Sequence, residues 1–125
     1  MTKFVLFGED MRNINTRTRT IKKRIDRSKN ILFAYSELQL RYAERLELNN
    51  EIVDIKANVR LIDFELGDNY TSDFYYVKSN GEVVVRECVY KDKLLKPRTI
   101  RLLDASRSYW LNRGVSNWGI VLNED

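Results

Sequence analysis

Between Thr71 and Lys91 the chain reads TSDFYYVKSNGEVVVRECVYK, two runs of tyrosine, phenylalanine and valine on either side of Ser-Asn-Gly. β-Branched and aromatic residues flanking such a turn specify a β-hairpin, which takes the chain out of the all-helical classes. Asp73 and Glu87 sit inside these strands, where acids are poor strand formers. Turn length decides whether they meet. A two-residue Asn80-Gly81 turn pairs Ser79 with Glu82 and sets Asp73 opposite Cys88, leaving the two acids on opposite faces. A three-residue Ser79-Asn80-Gly81 loop, with Gly81 left-handed, pairs Lys78 with Glu82 and Asp73 with Glu87. The Asn-Gly dipeptide slightly favours the first register, and a shared metal ion needs the second. Two facing carboxylates with β-carbons ~5 Å apart repel unless a cation lies between them. With oxygen ligands alone, Mg²⁺ or Mn²⁺ is the expected occupant, keeping waters of which one could attack a phosphodiester.

The elements around the hairpin follow from periodicity and punctuation. Tyr35 to Leu48 has helical spacing at Leu38, Tyr42 and Leu46, with Ser36 as N-cap and Gln39 at the capping-box position. Ile52 to Lys56 and Val59 to Glu65 alternate as two strands, and Gly67-Asp68-Asn69 is a turn. Pro97 opens a helix over Arg98 to Asn112, with Ile100, Leu103, Tyr109 and Trp110 expected on its buried side and Gly114 ending it. Trp118 to Leu122 closes as an apolar strand, able to pair in parallel through a right-handed crossover. The expected fold is an α/β (α+β) domain with a central mixed sheet flanked by helices. Residues 1–30 form a basic N-terminal arm, helical in part over Thr16 to Arg27, and residues 31–125 form a single domain. At 125 residues the chain can build one core unaided. Phe74, Tyr75, Tyr76 and Tyr90 are expected in that core rather than as base-stacking platforms, and Cys88 as a small buried apolar residue.

Charge is concentrated in the arm. Arg12, Arg17, Arg19, Lys22, Lys23, Arg24, Arg27 and Lys29 are opposed only by Asp26, giving +7 in eighteen residues; with a net charge of +4, the other 107 carry −3. Such a block matches the phosphates of double-stranded DNA and would make binding salt-dependent. Arg17, Arg19, Lys22, Lys23, Arg24, Arg27 and Lys29 are the candidate DNA contacts. The Arg98, Arg101 and Arg107 series reads as a solvated helix face. The absence of histidine excludes Ser-His, Cys-His and His-ligated zinc chemistry. Cys88, the only cysteine, forms no internal disulfide, no apolar run approaches the ~20 residues of a membrane helix, and MTKFVLFGED lacks a signal-peptide core. A cytoplasmic protein without a membrane partner is expected.

Taken in order, Ser36-Glu37-Leu38-Gln39, Tyr70-Thr71-Ser72-Asp73-Phe74, Val83-Val84-Val85-Arg86-Glu87-Cys88-Val89 and the closing Tyr109-Trp110, Gly114 and Trp118-Gly119-Ile120-Val121 resemble the PD-(D/E)xK nuclease fold. More narrowly, residues 28–124 resemble the N-terminal endonuclease domain of TnsA-type subunits of heteromeric transposases. The resemblance implies a restriction-endonuclease-like sheet, Mg²⁺- or Mn²⁺-dependent cleavage of DNA at transposon ends, Asp73 and Glu87 as metal ligands, and other transposase subunits as partners. Two positions depart from the family pattern. The helix acid falls on neutral Gln39, and the motif lysine falls on Val89, which can neither orient a water nor stabilise phosphate charge. Lys91, four residues beyond Glu87 on the same strand face, is the candidate replacement, since Arg86 points the other way. The further C-terminal partner-binding domain usual in that family is expected to be absent or supplied elsewhere. A non-catalytic module that keeps the fold as a scaffold for DNA or partner proteins is the alternative expectation.

Overall fold

The computed structural model describes residues 21–24, 31–67 and 69–124, with side chains described from Ala34 onward. Strand β1 (Ile21–Arg24) pairs antiparallel with β2 (Ile31–Ala34), matching Ile21 to Ala34 and Arg24 to Ile31. The part-helical reading of Thr16 to Arg27 is therefore corrected for 21–24. Lys22, Lys23 and Arg24 lie on a strand; Arg17, Arg19, Arg27 and Lys29 lie outside the described residues.

Helix α1 (Glu37–Glu47) starts where the capping signal placed it, with the backbone N–H of Gln39 donating to Ser36 Oγ at 3.1 Å. Gln39 completes the cap one residue early, its Oε1 accepting the Tyr35 N–H at 2.8 Å. Strand β3 (Ile52–Arg60) is one element rather than the two expected. Its pairing with β4 is irregular between Ile52 and Asp54 and then keeps one register to Arg60 opposite Thr71; within that run Asn58 adopts φ +52°, a left-handed conformation that asparagine tolerates. The expected strand over Val59 to Glu65 stops at Arg60, and Asp63 takes φ +56° in the turn beyond.

Strands β4 (Thr71–Lys78) and β5 (Val83–Val89) form the hairpin, with Tyr75 opposite Val85 and Val77 opposite Val83. That offset is the three-residue loop. Lys78 N–H donates to Glu82 O and Gly81 N–H to Lys78 O, both at 2.9 Å, and Gly81 holds φ +88°. The register favoured by the Asn-Gly dipeptide is not the one adopted. A slip to it would bring Glu87 opposite Phe74, a carboxylate onto an aromatic face.

A short helix α2 (Lys91–Leu94) and then α3 (Pro97–Asn112, proline at its first turn) lead into β6 (Asn117–Leu122). Strand β6 runs parallel to β5, with Glu87 opposite Ile120, so the sheet order is β3-β4-β5-β6 and the sheet is mixed. Helix α3 ends as expected, with Gly114 at φ +85°. Its inward stripe is Thr99, Leu102, Leu103, Ser106 and Trp110; Ile100, expected inside, is 49% exposed because the stripe starts one residue earlier.

The two long helices cover opposite faces of the sheet. Tyr42 of α1 packs edge-on to Phe74 and its hydroxyl meets that of Tyr76, whereas Tyr75 packs against Trp110 of α3. Phe74, Tyr76 and Tyr90 are buried and Tyr75 half-buried, core residues as expected. Among the described residues no helix is long and apolar enough to cross a membrane.

Candidate active site

The paired ladder of β4 and β5 runs to Phe74 opposite Arg86, and one step further the same offset brings Asp73 to Glu87. There side chains take over from backbone carbonyls. Glu87 Oε1 accepts the backbone N–H of Asp73 at 2.9 Å, and Asp73 Oδ2 accepts the backbone N–H of Cys88 at 2.8 Å. Each carboxylate thus satisfies an amide of the facing strand, and neither side chain is solvent-exposed.

The two acids reach towards different helices. The Gln39 side-chain amide, from α1, donates to Asp73 Oδ1 and, at 3.1 Å, to Asn58 Oδ1. Glu87 Oε2 accepts three hydroxyls, from Tyr70 at 2.7 Å, Ser72 at 2.7 Å and Ser106 of α3 at 2.6 Å. Two indoles lock those serines in turn. Trp110 Nε1 donates to Ser72 Oγ at 2.8 Å and Trp118 Nε1 to Ser106 Oγ at 3.1 Å. Each serine oxygen thus accepts an indole N–H and gives its single proton to Glu87. Asp73 with Phe74 therefore engages α1, while Ser72 with Tyr75 engages Trp110 on α3. The left-handed Asn58 across from this point marks where the regular alternation of the sheet gives way.

Burial raises the pKa of both carboxyls. For Asp73, pushed well above the ordinary carboxylate range, the charge of Glu87 adds to burial, while the Cys88 and Gln39 donors oppose it. For Glu87 the bonds from Ser106, Asp73 N–H, Ser72 and Tyr70 offset part of the burial effect. The pair is thus built to retain a proton well above the pH at which exposed carboxyls lose theirs. The Cys88 thiol, fully buried, is also pushed up by burial and by the same two acids.

These residues fit a metal ion poorly. Every carboxylate oxygen already accepts a hydrogen bond from the protein, and Glu87 Oε2 accepts three. Mg²⁺ or Mn²⁺ needs free oxygen lone pairs, with room for several waters. The surrounding groups are N–H and O–H donors instead. Among the described residues no group of three or more His, Cys, Asp or Glu side chains is placed to hold a metal ion.

The structure brings Gln39, Asp73 and Glu87 together and leaves Lys91 out. Strand β5 ends at Val89, and Lys91 opens α2 as an exposed residue whose backbone N–H donates to Asn123 Oδ1 at 2.8 Å. The strand face that was to carry its ammonium back to Glu87 does not extend that far. Val89 is fully buried. Arg86 points away from the acids, as expected; its guanidinium binds Asn117 O and Oδ1 at 3.2 and 2.9 Å. It lies over Gly119, where a β-carbon would come within 3.1 Å of Arg86 Nη1. Tyr70, Ser72, Ser106, Trp110 and Trp118, which complete the site, were not among the candidates. Ser106 carried the one available signal: a hydroxyl on the inward stripe of an amphipathic helix, where a partner is required.

Neither the models of known protein families nor the curated proteins contain a match to this chain.

Proposed function

We propose that this chain is a duplex-DNA-binding protein built on the TnsA-like nuclease fold, whose acid pair serves the fold rather than the cutting of a strand. The mixed sheet between two helices, with positions 39, 73 and 87 converging at one point, supports the resemblance. The observation that carries the non-cutting reading is that each of the four carboxylate oxygens already accepts a hydrogen bond from the protein, Glu87 Oε2 accepting three. Neutral Gln39, buried Val89 and exposed Lys91 agree with it, since among the described residues no lysine pairs with the acids to organise a nucleophile. The +7 segment supports DNA as the partner. In a transposition assembly, another subunit would make the cut.

Two measurements test this reading. Supercoiled plasmid incubated with Mg²⁺ or Mn²⁺ should show no nicking above background with either the natural protein or Asp73→Ala. Metal-dependent nicking that Asp73→Ala abolishes would overturn it. Duplex binding should weaken steeply with salt. Reversing Lys22, Lys23 and Arg24 to glutamate should flatten the slope of log affinity against log salt by about 3, because roughly 0.9 counterions are released per phosphate contact. An unchanged slope would remove the DNA half of the proposal.

A further inference from the structure

Strand β6 is an edge. Among the described residues it pairs with β5 on one side and with nothing on the other. Its sequence, NWGIVL, carries none of the lysines, prolines or inward charges that usually blunt such an edge. Ile120 and Leu122 are 38% and 37% exposed. Beside the edge, Ile100, Asp104 and Arg107 of α3 line a groove with Leu94, Trp118 and Ile120.

The exposed stripe of α3 next to this groove has an order of its own. Ile100, Asp104, Arg107 and Leu111 recur at i, i+4, i+7 and i+11, so they share one face of the helix, and all four are exposed. The order is apolar, acid, base, apolar. Laid antiparallel against a second copy of itself, the stripe matches Ile100 with Leu111, Asp104 with Arg107, Arg107 with Asp104 and Leu111 with Ile100. The midpoint of the stripe falls between Asp104 and Arg107, and both residues border the same groove as Trp118 and Ile120 near the middle of β6. A single two-fold axis perpendicular to the sheet therefore serves both elements. It sets β6 antiparallel to β6 and α3 antiparallel to α3.

The geometry points to a second copy of this chain as the occupant of the edge. Two four-stranded sheets join into one through β6, and the α3 helices pack across the axis with two Asp104–Arg107 pairs between them. Since the same edge is used by both copies, the contact is isologous and closes at two. Such a dimer doubles the number of basic segments held on one particle, whatever those segments bind.

Sedimentation velocity and light scattering without DNA, from about 1 to about 100 μM, should show a species of twice the chain mass that dissociates on dilution. Arg107→Asp puts like charges opposite each other twice per dimer and should raise the dissociation constant about tenfold or more. The double substitution Asp104→Arg with Arg107→Asp restores opposite charges in reversed order and should recover the natural affinity. Both positions are exposed, so circular dichroism should show every variant folded. A monomer at all concentrations would overturn the proposal and leave β6 to a strand of another protein. So would a dimer indifferent to Arg107→Asp, or a double swap that fails to restore association.

Discussion

Replacing Glu87 by alanine destabilises the protein by about 4 kcal/mol, a large part of the 5–15 kcal/mol that holds a domain of this kind together. Four buried donors lose their acceptor at once: the Tyr70, Ser72 and Ser106 hydroxyls and the Asp73 amide. Even if the two serines turned to each other, only one of their two protons would find an acceptor, and each oxygen already accepts an indole N–H from Trp110 or Trp118. The direction separates two kinds of acid pair. In an empty metal centre the carboxylates repel, so deleting one stabilises the metal-free protein. Here the carboxylate is the hub of a closed network, and deletion breaks it. Urea denaturation followed by circular dichroism measures the difference, and a Glu87→Ala variant as stable as the natural protein would return the acids to the role of metal ligands.

The second large effect is on pH. The folded protein keeps a proton on the Asp73–Glu87 pair beyond the pH at which the unfolded chain releases it, near 3.8 and 4.5 for the two side chains. In that interval the native state binds more protons than the unfolded state, so unfolding free energy falls as pH rises. The contribution is complete below the unfolded pKa values and is lost as pH climbs through the raised folded ones. The slope reaches about 1.4 kcal/mol per pH unit for each retained proton. Denaturation midpoints from about pH 5 to about pH 9, at constant ionic strength, should therefore decline. Glu87→Gln removes the like charge beside Asp73 and should flatten the decline without abolishing it, since burial, the larger cause, remains. A profile that rises with pH, or one that Glu87→Gln leaves untouched, would mean that the pair is ionised throughout.

Local chemistry made several elements legible. Ser36 and Gln39 mark the start of α1, Pro97 and Gly114 bracket α3, and the valine and tyrosine runs set β4 and β5, because caps, rigid φ and branched side chains act within a few residues. What needed the whole fold could not be read so closely. The hairpin register was decided by which residues each face could accept: Glu87 meets Ser106 on α3, and a slip would have turned it onto Phe74 and Tyr42. The period of β5, continued past Val89, places Lys91 on the strand, but pairing with β6 ends at Val89 opposite Leu122. Asn123 then takes the Lys91 amide, and the chain turns into α2. The site was half visible. Its acids and Gln39 stood out as motif positions, whereas the hydroxyls and indoles that decide what those acids can do are ordinary core residues until the fold assembles them.

The span of the network along the chain has a kinetic consequence. Gln39 meets Asp73 across 34 residues and Trp110 meets Ser72 across 38, so each contact closes a long loop. Contacts of that kind form only after most of the entropy of the chain has been surrendered. They belong on the native side of the folding barrier, where they slow escape from the folded state more than they hasten arrival. The buried acids then act as a latch on lifetime: breaking the network steepens loss of the fold through faster unfolding, while the rate of reaching it changes little.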